Sequence, residues 1–145
     1  MKPDDTRLAA RALLLAALTG LLGAASIFVP YVDALLGLEV RVAMRVEVAD
    51  HVIPGLVVAA GALASVLLLR GRAGIPRSVP LLVATAACFL GGLWMTSTHV
   101  PLLVEAGEGI APWGGAILHS VLGPPIVVMS FWLFALELPA AQTRE

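Results

Sequence analysis

Residues 51–69, HVIPGLVVAAGALASVLLL, decide the fold: from Val52 to Leu69 there is no charge over 18 residues. A helix rises about 1.5 Å per residue and needs about 20 apolar residues to cross roughly 30 Å of hydrocarbon, so this stretch is long enough to span a bilayer. Three other stretches share that property. Ala12–Val32 and Ser78–Thr98 are uncharged over 21 residues each, and Gly109–Leu136 carries only the imidazole of His119.

Composition agrees with this reading. The chain has 145 residues, 59% hydrophobic and 13% charged, with the charges confined to the termini and a few short stretches. A soluble domain of this length needs far more charge to cover its surface, whereas lipid needs none. The expected fold is an all-α integral membrane protein, one membrane domain over residues 1–145. It forms an up-down bundle of four transmembrane helices at about 8–31, 51–70, 78–98 and 113–137, with outer segments at 32–50 and 99–112 and a cytoplasmic turn at 71–77. Ala12–Val32 is too long for the apolar core of a signal peptide and is read as a retained first span. The single Cys88 excludes an intrachain disulfide and a cysteine metal site.

Basic residues set the orientation. Lys2, Arg7 and Arg11 precede the first span, Arg70, Arg72 and Arg77 lie between the second and third, and Arg144 follows the fourth. By the positive-inside rule both termini are cytoplasmic, in a cell inner (plasma) membrane. The outer face then holds Asp33, Glu39, Glu47, Asp50, Glu105 and Glu108 against only Arg41 and Arg45. Such an acidic rim disfavours nucleic acid and anionic ligands and favours cations or neutral lipophiles.

Between Glu39 and Val48 the even positions are Val40, Val42, Met44, Val46 and Val48, while the odd ones include Glu39, Arg41, Arg45 and Glu47. A period of two with β-branched residues on one side predicts a short extended flap over the mouth of the bundle. An interfacial helix is the alternative.

The chain also repeats. A shift of 71 pairs Gly20 with Gly91, Ser26 with Ser97, and Val29-Pro30 with Val100-Pro101; a shift of 68 pairs His51 with His119 and Gly55 with Gly123. Two tandem helical hairpins in one orientation imply a pseudo-two-fold along the membrane normal, with the second and fourth spans diagonal. The repeated Val-Pro resembles, distantly, small bacterial membrane proteins built on a Ser-Pro-Trp repeat. That signature is absent, with Val29-Pro30-Tyr31 and Val100-Pro101-Leu102 in its place, and the resemblance implies no activity.

His51 and His119 are the residues this repeat brings forward. His51 lies 19 residues before Arg70 and His119 lies 18 before Glu137, which places the two imidazoles at one depth. A glycine four residues after each, Gly55 and Gly123, leaves a notch on the same face. That notch admits either a ligand's flat edge or a neighbouring helix backbone. Pro124-Pro125 must kink the fourth span just below His119. His99, whose repeat partner is Phe28, ends the third span.

Three readings follow. In the first, an outward pocket lined by Asp50, His51, His99, Glu105 and His119 binds a lipophilic small molecule such as an isoprenoid. Acid–base chemistry of cyclase or isomerase type would act on it there, with Tyr31, Trp94, Trp113 and Trp132 contacting the substrate and no cofactor needed. In the second, His51 and His119 hold a single b-type haem, with Gly55 and Gly123 beside the macrocycle, or the histidines hold a transition-metal ion. In the third, the chain is a non-catalytic subunit of a homo-oligomer or a larger membrane complex, its small-residue patterns serving helix packing. Transport is disfavoured, since no ionisable residue lies at the midplane.

Overall fold

The structure is a computed structural model and describes residues 3–37, 44–70 and 78–137; every described element is helical. Four helical stretches are long and apolar enough to cross a membrane: Asp5–Ser26, Arg45–Leu69, Val79–Gly107 and Trp113–Leu136.

Proline and glycine positions explain where the chain bends. Helix α1 (Pro3–Ser26) gives way to the short α2 (Val29–Leu36), which has Pro30 in its first turn and ends on Gly37 at φ +62°, a left-handed conformation suited to glycine. A single turn, α3 (Met44–Glu47), runs into a π-helical turn (Val48–Val52) and then α4 (Ile53–Leu69). The π-turn is closed by the Ile53 N–H donating to the Val48 carbonyl. Pro54 has no N–H to offer the Asp50 carbonyl and would clash with it, so the wider turn relieves the proline locally.

Met44–Val48 is therefore helical, which corrects the extended flap over those residues; Glu39–Ala43 lie outside the described residues. A lone strand leaves a row of backbone groups unpaired, whereas a helix satisfies them internally, and near a membrane this outweighs the β-preference of alternating valines.

Ser78 caps α5 (Val79–Gly107), its hydroxyl accepting from the Leu81 N–H at 3.4 Å. This helix passes through Pro101 and runs nine residues beyond Thr98, so the second connecting segment is only 108–112. The fourth stretch is broken as the two prolines require. Helix α6 (Trp113–Ser120) ends, and α7 (Gly123–Glu137) starts with Pro124 and Pro125 in its first turn.

Helix α1 packs on α4, α4 on α5, α5 on α7 and α7 on α1, so the second and fourth spans lie diagonally across the bundle. Two buried knobs sit in glycine holes of the preceding span. A Cβ on Gly23 would stand 2.6 Å from Val58, and one on Gly92 would stand 2.6 Å from Ile126. Val58 and Ile126 meet Met95 in an apolar cluster, and a second cluster of Ala12, Ala16, Leu69, Leu81 and Leu133 fills the opposite end of the bundle. The outside is studded with exposed large apolar side chains such as Leu21, Leu63, Leu90 and Phe131, a surface suited to lipid.

Candidate metal centre

Above the Val58–Met95–Ile126 cluster, three spans each contribute one buried histidine: His51 from the π-turn, His99 from α5 and His119 from α6. The rings converge. Their centroids are 4.5 Å (His51–His99), 4.9 Å (His51–His119) and 5.9 Å (His99–His119) apart. His51 Nε2 stands 2.9 Å from His119 Nδ1 and 3.0 Å from His99 Nε2.

One tautomer is fixed by its surroundings. His99 Nδ1 lies 2.6 Å from the Met95 carbonyl, and only an N–H can approach a carbonyl so closely, so Nδ1 donates and Nε2 presents a bare lone pair to the cluster. Each imidazole nitrogen has a single in-plane site, either a proton or a lone pair. His51 Nε2 has two nitrogens at hydrogen-bond distance and so serves them with one site.

Two carboxylates close on this group. Glu47 is buried, four residues before His51, and its Oε2 lies 3.7 Å from His51 Nε2 and 3.8 Å from His119 Nδ1. Asp33, buried on α2, places Oδ1 3.5 Å from the far nitrogen of His119, Nε2. Among the described residues the histidines are the only ion-pair partners of either acid. Asp33 Oδ1, Glu47 Oε2 and His119 Nε2 are buried without a hydrogen-bond partner. A buried polar group left unpaired costs about 1–3 kcal/mol, and more when charged, so the arrangement is expensive without a further partner.

A cation would supply such a partner. One nitrogen from each histidine lies within 4.8 Å of the other two, the geometry of a possible three-histidine metal site. Bonds of about 2.0–2.1 Å set neighbouring ligands about 2.9 Å apart in an octahedral arrangement and about 3.4 Å apart in a tetrahedral one. The two short nitrogen contacts already stand at such an edge.

A cavity of about 200 Å³ opens beside the cluster, lined by Glu47, His51, His99 and His119, with Asp50 and Glu105 also on its wall. The site residues expected from the sequence thus separate. His51, His99 and His119 come together, while Asp50 and Glu105 line the cavity without an ion pair to any of the three rings among the described residues. Tyr31, Trp94, Trp113 and Trp132 are exposed and none lines the cavity, a placement that suits an interfacial aromatic belt rather than substrate contact.

The geometry also gives haem no slot. Axial nitrogens on one iron stand about 4 Å apart, two metal–imidazole bonds, on opposite faces of a macrocycle. Here they are 2.9 Å apart and His99 occupies the same space. The notches are filled by protein: a Cβ on Gly55 would meet Ser26 Oγ and, at 2.8 Å, the Gly23 carbonyl, and one on Gly123 would meet Thr96.

Sequence reasoning passed over Glu47 and Asp33 as site residues. Glu47 carried a signal, because Glu-x-x-x-His puts both side chains on one helical face, whereas Asp50, next to His51 in the chain, lines the cavity without forming an ion pair with a histidine among the described residues. Asp33 carried none, since only the tertiary docking of α2 on α6 brings it to His119. No protein-family model, curated protein or solved structure matches the chain.

Proposed function

We propose that this protein is an integral membrane protein that binds one first-row transition-metal ion through His51, His99 and His119. The observation that carries this is the convergence of His51 Nε2 with two other imidazole nitrogens at 2.9 and 3.0 Å, a set of groups that one proton cannot satisfy and one cation can. Imidazole suits Zn, Cu, Fe and Ni. The basic residues of the termini and of the segment between the second and third spans favour a site facing the non-cytoplasmic side of a plasma membrane.

Two tandem hairpins account for the paired histidines. Val58 and Ile126, equivalent under the shift of 68, each sit on a glycine of the preceding span, but those glycines, Gly23 and Gly92, are not paired by the shift of 71, so the duplication rests on the sequence matches. His99 has no repeat partner and adds the third ligand.

A lipophile transformed by acid–base chemistry finds less support. The cavity at the histidines, about 200 Å³, falls below the roughly 300–1,000 Å³ of ordinary small-molecule pockets. A second cavity of about 260 Å³, between α5 and α7, is lined by Phe89, Phe131 and Phe134 and holds no titratable group.

Protein purified in detergent and analysed for metals is expected to carry, or to take up from a divalent transition-metal salt, one equivalent of ion per chain. A stoichiometry near zero after incubation with Zn²⁺, Cu²⁺, Ni²⁺ and Co²⁺ rejects the reading. Asp33 orients His119 from behind its ligating nitrogen, as outer-shell carboxylates do at metal-bound histidines. Asp33→Asn is therefore expected to weaken metal affinity by about 10–100-fold. Competition against a chromophoric chelator reads this, and an unchanged affinity removes Asp33 from the site.

A further inference from the structure

We infer that Glu47 Oε2 is the fourth ligand of a divalent ion held by the three histidines, and that the ion keeps a further coordination position open to the cavity for a small neutral molecule. This rests on the three-histidine reading above and adds to it a charge balance, a ligand and an exchangeable site.

Among the described carboxylates Glu47 stands nearest to two of the three ligating nitrogens, and it would have to close on the third, since only the histidine nitrogens already lie within 4.8 Å of one another. Its Oε2 is nearly equidistant from His51 Nε2 and His119 Nδ1, at 3.7 and 3.8 Å, a few tenths of an ångström beyond a tetrahedral ligand edge of about 3.4 Å. A carboxylate hydrogen-bonded to a bound water would stand a full shell further away. Glu47 Oε2 is buried and has no hydrogen-bond partner, so a coordinate bond would supply the contact it lacks. Asp50 and Glu105 line the same cavity, yet neither forms an ion pair with a histidine among the described residues.

Charge selects the oxidation state. With both buried carboxylates, Asp33 and Glu47, ionised beside neutral imidazoles, the site would hold two negative charges in a low-dielectric surrounding. A dication cancels them, whereas a monovalent ion leaves one uncompensated. The cavity defines the remaining position. Glu47, His51, His99 and His119 all border it, so an ion at their centre meets open space on that side, the arrangement of metal sites that exchange a ligand and not of closed structural sites. The acidic residues along the wall, Asp50 and Glu105, disfavour an anion there and leave water or another small neutral molecule as the occupant.

Cobalt(II) substitution in the full-length protein tests each part. One equivalent of Co²⁺ is expected to give visible ligand-field bands that shift in a saturable way with millimolar imidazole, used as the neutral probe, while the metal stays bound. An equivalent of Ag⁺ is expected not to displace it. Glu47→Gln is expected to bind Co²⁺ at least tenfold more weakly and with altered bands, and Glu47→Asp to restore part of the affinity. Bands indifferent to imidazole overturn the open position, bands identical in Glu47→Gln overturn the fourth ligand, and displacement by Ag⁺ overturns the charge selection. In those three cases Co²⁺ still binds, is still lost on histidine substitution, and the three-histidine reading stands. If the wild-type protein binds no Co²⁺ and no other divalent ion, both readings fall together.

Discussion

His51→Ala is expected to abolish metal binding while leaving the helical bundle intact. His51 Nε2 is the hub of the cluster, the only nitrogen shown within 3.0 Å of both others, and His99 and His119 contact each other only through rings 5.9 Å apart. Removing the hub leaves two imidazoles too widely separated to replace it, so affinity is expected to fall by more than about 100-fold, beyond what loss of an outer-shell partner costs. The effect on folding lacks the cost of a usual core truncation. In the metal-free protein the crowded nitrogens are a source of cost, because one proton is contested by two acceptors. Thermal unfolding of the metal-free variant in detergent is therefore expected to match the metal-free wild type. A ligand that binds only the folded state at about 100 times its dissociation constant stabilises by about 2.7 kcal/mol, so added metal should raise the wild-type midpoint and leave the variant's unchanged. Retention of one tightly bound equivalent by His51→Ala would sink the proposed centre.

How much of this was visible in the residue string follows from which interactions are local. The four spans were legible because a run without charge is a statement about solvent, and no distant contact can alter it. The break in the fourth span was legible for a similar reason, since Pro124 and Pro125 lack donors wherever they are placed. The depth match of His51 and His119 came from counting residues to the polar ends, and the rings do meet. Over Met44–Val48 the flap misled because alternation of valines is a weak local preference, and Arg45–Leu69 instead continues as one helical stretch. The notches left two readings open, a ligand's edge or a neighbouring helix, and the second is what packs there. A glycine on a helical face marks a close approach without saying whose, and here the approaching atoms belong to α1 and α5. The aromatic residues were assigned by chemistry alone, and only packing distinguishes a ring facing a pocket from one facing lipid.

Gly55→Leu is expected to be the most damaging substitution away from the ligands, and its two consequences are linked. At Gly55 helices α1 and α4 come so close that even a methyl group would meet Ser26 Oγ, the Gly23 carbonyl at 2.8 Å and Ile27 Cγ1 at 3.0 Å. The Gly23 carbonyl is backbone, and the Ser26 hydroxyl is held by its donation to that same carbonyl at 2.8 Å, so neither can swing aside. A leucine must therefore push the helices apart. Overpacking of a tight core typically costs about 1–3 kcal/mol and more where backbone must move, which corresponds to a midpoint lowered by roughly 5–10 °C in a chain of this size. Gly55 lies one turn below His51, so separating α1 from α4 also tilts the π-turn that carries Glu47 at its head and His51 within it. Metal affinity should accordingly fall at least tenfold although no ligand has been touched. The comparison is Gly107→Ala, at the end of α5, where an added Cβ meets no atom within 4 Å, and where stability and metal affinity should both stay at wild-type values. If thermal unfolding and chelator competition give the same values for Gly55→Leu as for Gly107→Ala, then α1 does not lie against α4 as described, and the position of His51 rests on something other than the glycine contact.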